Sequence, residues 1–306
     1  MNNTENIDSN LNKNTEVLEQ NNQEKTDNNE PVMLVDATDE SLNVDTDCYP
    51  YAILRDDFDT TLESNQLFNE GKTIPFQFFP KIFKDERGCF AENLTSKEED
   101  WMNSLTYWFK NAITNTKQIN RSYSNPGVFR GFHAQKKPFC QGKLVECLSE
   151  TPIWDIIIDA RPDSTSFQQF TIFRLTANTM SKVWIPAGFL HAIVIPKLDL
   201  IPTGENASYN QIEYHSPAIL QYFVDNYYDK DSEITVNPDS ILHVIAKQYF
   251  DDFMADQAKN IQMYGLLKAI SDGLTYSEKD KNGINYLDFI KEVDEDYKSK
   301  NVLWYK

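Results

Sequence analysis

The sequence predicts a mainly β protein: an antiparallel jelly-roll barrel with flanking helices and a helical C-terminal part. Three observations carry this reading. From about Phe76 the chain breaks into short apolar, aromatic and β-branched runs separated by polar turns, among them "GKLVECLSE", "PIWDIIIDARPDS", "FQQFTIFRLT", "SKVWIPAGF", "LHAIVIPK" and "AILQYFVDNYYD". No long helical pattern interrupts these runs between residues 127 and 228, and such close spacing favours antiparallel sheets in a sandwich or barrel. After about residue 238 the apolar period changes, with Ile241, Ile245, Phe250 and Phe253, then Ile261, Tyr264, Leu267 and Ile270, recurring until Gly273. Two helices packed on the barrel are expected there.

The elements ahead of the barrel follow from composition. Residues 1–70 are expected to be a disordered acidic, Asn-rich extension: ten of the first 30 residues are Asn, and such a segment buries too little apolar surface to offset its ordering entropy. Within it, "PVMLVDA" could form one short strand. "SKEEDWMNSLTYWFKNAI" spaces Trp101, Leu105, Trp108 and Phe109 as one face of a helix, with Ser96 as N-cap. The expected organisation is therefore an extension to residue 70, a barrel domain over 71–238, and a helical insertion and C-terminal segment over 239–306. No internal repeat is evident.

Charge and cysteines narrow the function. Of the formal net charge of -18, most lies in residues 1–50, which carry 12 acidic side chains against Lys13 and Lys25. The acidic field argues against a nucleic-acid partner, although a local Arg/Lys pocket could hold one small phosphorylated ligand. Cys48, Cys89, Cys140 and Cys147 form no C-x-x-C pair, and the start "MNNTENIDSN" has neither part of a secretory signal. They read as free thiols in a cytoplasmic protein. No run approaches the ~18 apolar residues of a membrane span.

The chemistry begins at "GVFRGFHAQ", where Arg130 and His133 stand in a chain of four histidines. Alone, that imidazole would read as a core or surface residue. Other pieces change the weighing: "FKDERGCFAENL", with Arg87 in a turn at Asp85 to Gly88 and Glu92 five residues on; "QGKLV", with Lys143; "WIPAGFLHAIVI", with His191; and "QYFVDNYYDKDSE", with Tyr222, Tyr228 and Glu233. Together these stretches resemble the dTDP-4-dehydrorhamnose 3,5-epimerase family, cupin-type jelly rolls that carry R-G-L-H, D-x-R-G-x-F, Q-x-K-L-V, P-x-G-x-x-H and Y-x5-Y. The resemblance covers roughly residues 74–237 and returns at "YSEKDKNG", residues 276–283, after an insertion of about 30 residues.

The resemblance implies a cofactor-independent epimerase, without metal, that inverts C3 and C5 of a dTDP-linked 4-keto-6-deoxyhexose to give dTDP-4-dehydro-L-rhamnose. Inverting a carbon beside a ketone requires a base on one face of a planar enolate and an acid on the other. His133 suits the base, with Asp280 fixing its tautomer. Lys143 suits the developing oxyanion, with His191 able to share that role. By resemblance Tyr222 is the acid, and Glu92, Gln118, Asn120, Glu233 and Lys279 contact substrate. Arg87 and Arg130 suit phosphate or sugar, and Tyr228 suits stacking on thymine. The Arg87 and Glu92 segment of the family reaches a neighbouring subunit's site, which implies a homodimer. Two other readings stay open: a same-fold C3-only epimerase or keto-isomerase, and a non-catalytic barrel that binds ligand.

Metal chemistry fits poorly. Metal barrels cluster two histidines with a carboxylate, and "GFHAQ" has one. "EKDKNGINYLDF" imitates a calcium loop until its twelfth position, where Phe289 replaces the bidentate Glu. The chain also departs from the family: Phe132 stands for the usual Leu, Ala134 for an aromatic, and the loop "PKLDLIPTGENASYNQIEYHSP" is about 18 residues longer than expected.

Overall fold

The computed structural model describes residues 51–53, 75–80, 82–91, 115–164, 166–202, 209–247 and 263–299. The expected helix over Trp101 to Phe109, the strand at "PVMLVDA" and Glu92 lie outside them. Two antiparallel sheets form the barrel. The six-stranded sheet has the order β1 (Tyr51–Ile53), β2 (Phe76–Phe79), β10 (Lys182–Ile185), β7 (Lys143–Cys147), β14 (Ala218–Val224) and β5 (Gln118–Ser124). The five-stranded sheet runs β15 (Glu233–Thr235), β6 (Phe129–Gln135), β11 (Phe189–Val194), β8 (Ile153–Asp159) and β9 (Phe170–Leu175). Neighbours in each sheet are seldom neighbours in sequence, the crossed connectivity of a jelly roll. Within the extension expected to be disordered, Tyr51–Ile53 forms an edge strand on β2, where an open ladder supplies hydrogen-bond partners.

Strand β8, "IWDIIID", is buried at every position, because its sheet is covered on both faces. Ile153 and Ile157 join Val145, Val183 and Leu220 of the other sheet in one core. Trp154, Ile156 and Ile158 face the opposite way, into a second core with Leu266, Ala269, Phe289 and Val293. Those last residues come from helices α2 (Tyr264–Asp272) and α4 (Tyr286–Lys298), and α1 (242–247) adds Leu242 and Ile245 to the same core. Each fully buried Ile contributes on the order of 2 kcal/mol. Helix α4 starts where the Asn285 side chain accepts from Leu287 N, and α2 stops at Gly273. Among the described residues, no helix is long and apolar enough to cross a membrane.

The long loop after His191 folds as a separate hairpin, β12 (Leu198–Pro202) with β13 (Tyr209–Glu213). Its buried Asp199 accepts from Arg174 of β9 at 2.8 Å, and α2 packs on β12. Short helix α3 (Glu278–Lys281) sits between two parallel bridges, Val128 to Thr275 and Val236 to Ile284. The segment that carries Asp280 is thus strapped across β6 and β15 at both ends.

One irregularity orients the barrel interior. His191 pairs with His133 and Ile193 with Arg130, so β6 spends three steps where β11 spends two. On a regular strand Arg130 and His133 would point to opposite faces; the extra residue brings both inward. Gly131 makes this possible at φ +124°, where a Cβ would fall 2.5 Å from the His191 carbonyl oxygen and 2.7 Å from Ala192 Cα.

Gly131→Ala is expected to cost about 2–4 kcal/mol through strain and overlap, measured as a lower urea midpoint. Gly88→Ala is expected to cost less, since its φ is also positive but nothing lies within 4 Å. Equal stability of the two variants contradicts the close-approach argument.

Candidate active site

The inner faces of the two sheets assemble the site. Opposed residues of antiparallel strands share a face, so the pairs Tyr222 to Asn120, Tyr222 to Val145 and Val224 to both Gln118 and Lys143 place Gln118, Asn120, Lys143 and Tyr222 on one wall. The pairs His191 to His133, Ile193 to Arg130 and Glu233 to Gln135 place Arg130, His133, His191 and Glu233 on the facing wall.

His133 is held from two sides. Its Nε2 lies 2.8 Å from Asp280 Oδ1 and its Nδ1 lies 3.6 Å from Glu233 Oε1. Asp280 is buried at the third position of α3, in a capping box: Ser277 Oγ donates to Asp280 Oδ2 at 2.8 Å and accepts from Asp280 N at 3.2 Å. Burial works to raise the Asp280 pKa, but the bonds from His133 and Ser277 outweigh it and the carboxyl is held below its ordinary value. An ionised Asp280 accepts a hydrogen bond from Nε2–H, which leaves the lone pair on Nδ1.

Glu233 organises the rim. It accepts from the Tyr228 hydroxyl at 2.7 Å and pairs with Lys279. Burial pushes its pKa up, yet these bonds and His133 win and the carboxyl lies below the usual range. The same bond pushes the Tyr228 phenol up to about 12. Tyr228 N donates to Gln118 Oε1 at 3.5 Å, and Gln118 Nε2 donates to Asn120 Oδ1 at 2.6 Å. Arg130 Nε donates to Ser124 Oγ at 2.6 Å, leaving the guanidinium exposed at the mouth.

The floor carries a second histidine–carboxylate pair. His191 Nδ1 lies 3.3 Å from Oδ1 of Asp155, which is fully buried, and Asp155 Oδ2 has no hydrogen-bond partner. Burial first, then the charges of Lys143 and His133, hold the His191 pKa well below its ordinary value, so the ring is neutral. Burial raises the Asp155 pKa well above the usual range, against the pull of Lys143. Lys143 is itself buried, which lowers its pKa to about 8 despite Asp155, Glu233 and Asp225. Its ammonium makes no hydrogen bond among the described residues, nor does the Tyr222 hydroxyl. Burial raises the Tyr222 pKa, with Arg130 opposing and Glu233 assisting, so the phenol keeps its proton at neutral pH. Arg130 and Glu233 bear on the Tyr222 phenol and Glu233 lies 3.6 Å from His133, so the two walls face one another.

Among the described residues, the expected ones therefore converge with one exception; Glu92 lies outside the described residues. Arg87 lies at the tip of the hairpin β3 (Ile82–Asp85) and β4 (Gly88–Ala91), exposed and paired with Asp85, and takes part in none of the contacts above. Asp155 was not expected. Its signal was a carboxylate inside the apolar run "IWDIII", a position that a buried strand tolerates only with a partner. The arrangement can hold a lone pair, a cation and a phenolic proton around one ligand, with polar groups and an arginine at the mouth.

The family model described as dTDP-4-dehydrorhamnose 3,5-epimerase matches residues 75–288. The dTDP-4-dehydrorhamnose 3,5-epimerase of Shigella flexneri is 36% identical over 121 residues, 39% of this chain and 61% of that protein. The Escherichia coli (strain K12) protein of the same description is 32% identical over 116 residues, 38% of this chain and 58% of its own. The chain thus spans about three-fifths of the length of these relatives. A crystal structure of dTDP-4-dehydrorhamnose 3,5-epimerase from Elizabethkingia anophelis NUHP1 aligns over 79% of this chain and 98% of that chain, at 24% identity and a TM-score of 0.49.

The buried Lys143 gives a signed expectation. Its folded pKa is below the unfolded one, so its charge destabilises the fold fully below about pH 8, and the cost fades as pH rises toward the ordinary lysine value. Lys143→Met is expected to gain about 1–3 kcal/mol near neutral pH, and less at alkaline pH, by urea unfolding. A variant that is less stable than the parent at neutral pH contradicts this.

Proposed function

The chain belongs to the dTDP-4-dehydrorhamnose 3,5-epimerase family, and from that premise we propose that it converts dTDP-4-dehydro-6-deoxy-D-glucose to dTDP-4-dehydro-L-rhamnose by inverting C3 and C5. The single observation that carries the reading is the ionised Asp280 at 2.8 Å from His133, with a protonated Tyr222, whose hydroxyl makes no hydrogen bond among the described residues, on the facing wall.

His133 takes the proton from the carbon beside the ketone through Nδ1, and the C–H electron pair becomes the enolate π bond as the carbonyl oxygen gains charge. Asp280 stabilises the imidazolium formed. The Lys143 ammonium, with neutral His191 as a further donor, meets that oxygen, where a charge in a buried site is worth most. Tyr222 returns a proton to the opposite face, the phenolate regains one from solvent, and the imidazolium releases one to solvent before the next abstraction. Repetition at the second carbon completes the double inversion, and the two steps move protons only. Because Lys143 must be charged, activity is expected to fall as pH rises through about 8.

The nucleotide end is read from chemistry at the mouth. The exposed Arg130 guanidinium suits the diphosphate, Tyr228 suits stacking on thymine, and Gln118, Asn120, Glu233 and Lys279 contact sugar or base. Arg87, on an exposed hairpin with Phe83 and Phe90, serves a partner subunit's site in a homodimer.

The test is proton NMR of the protein with dTDP-4-keto-6-deoxyglucose in heavy water. Deuterium is expected at both C3 and C5, and His133→Ala is expected to lose at least about a hundredfold in exchange rate while still binding dTDP. Exchange at C3 alone assigns single inversion, and binding without exchange by the parent protein overturns the catalytic reading.

A further inference from the structure

The Asp280 carboxylate reaches His133 from a helix of four residues, too short to hold its own position. Something outside α3 must therefore fix it. The described residues show where the hold comes from. Strand β15 pairs with His133 through Thr235, and Val236 N donates to Phe132 O at 2.9 Å. The next residue, Asn237, turns away from the sheet and uses both ends of its amide. Its Oδ1 accepts from Asp239 N at 2.8 Å, capping the short 3-10 turn Pro238–Ser240. Its Nδ2 donates to Lys281 O at 2.6 Å, the carbonyl that ends α3.

The backbone around it closes the same joint. Asn237 N donates to Ile284 O at 2.8 Å and Ile284 N donates to Thr235 O at 2.9 Å. Gly283 packs so tightly here that a Cβ would lie 2.7 Å from Asn237 N and from Thr235 O. Helix α3 is thus pressed on the end of β15, the strand that also carries Glu233. Of the polar contacts of α3 to the site, Lys279 to Glu233 bridges the two elements that Asn237 ties together, and Asp280 to His133 joins α3 to β6, the strand paired with β15.

We infer that Asn237 is the positioning residue of the reaction proposed above: its side-chain amide sets the reach of Asp280 to His133 without touching substrate. The inference rests on the catalytic reading for its kinetic consequence and on geometry alone for its structural one. Asn237→Asp is the discriminating change. It keeps the size and the Oδ1 acceptor that caps 238–240, but replaces the donor with an oxygen facing Lys281 O, so α3 is repelled rather than held.

The experiment is a double-mutant comparison on full-length protein, with the His133 ring proton followed by NMR in the absence of substrate. Asn237→Asp is expected to lower kcat about a hundredfold, with KM for the dTDP-keto sugar changed less than about threefold, and to weaken or shift the downfield Nε2 proton resonance. In an Asp280→Asn background the same change is expected to lower kcat less than about twofold, because the carboxylate it positions is already gone. An equal drop in both backgrounds, or an unchanged proton resonance in Asn237→Asp, overturns the inference. A parent protein that shows the resonance but never turns over the keto sugar overturns the catalytic reading and leaves the positioning role standing on the NMR result.

Discussion

The structure depends on one extra residue in β6. A jelly roll offers alternate side chains to its interior, and a strand in strict alternation could give Arg130 or His133 to the chamber but not both. The bulge at Gly131 resolves this by spending three steps against two on β11. The requirement is local and severe: the backbone must take a positive φ while lying against the carbonyl of His191, which removes every side chain but hydrogen. The shift has a second consequence. Phe129 and Phe132, also three apart, both turn into the core under the helices, with ring centroids 5.6 Å apart. The same irregularity that feeds the chamber also anchors the helical layer.

Two histidine–carboxylate pairs, one through Nε2 and one through Nδ1, then differ in their surroundings. Asp280 sits at a helix start with hydroxyl and amide donors, so its charge is sustained and the imidazole beside it can accept a proton. Asp155 lies in the middle of a strand with one oxygen unpartnered, so burial dominates, and its neighbour His191 stays neutral. Lys143 stands near the second pair and loses part of its affinity for its proton for the same reason. In the proposed reaction one pair handles protons and the other helps hold a cation and a neutral donor at the oxyanion. The division follows from solvation, since the residue types are identical.

Much of this was legible in the sequence. The short β-branched runs predicted strands because alternation and turn residues are local signals, and β7, β8, β9, β10, β11 and β14 each fall within a quoted run. "RGFH", "QGKLV" and "PAGFLH" could be read because their residues act within a few positions of one another. The long loop between His191 and Tyr222 was legible only as extra length. Its hairpin packs against α2, a contact between two distant stretches that spacing along the chain does not encode. Asp155 escaped notice because strand periodicity tells which residues alternate but not which face meets a histidine across the sheet. Asn237 escaped for a similar reason: its partner, Lys281, lies 44 positions away.

The most direct measurement of the central claim is a crystal structure of the protein with a dTDP-linked 6-deoxyhexose that lacks the ketone and cannot react. The account predicts the sugar ring between the two walls, with His133 Nδ1 and the Tyr222 hydroxyl on opposite faces of the ring and the Lys143 ammonium toward C4. A sugar bound with both groups on the same face, or outside the chamber altogether, contradicts it.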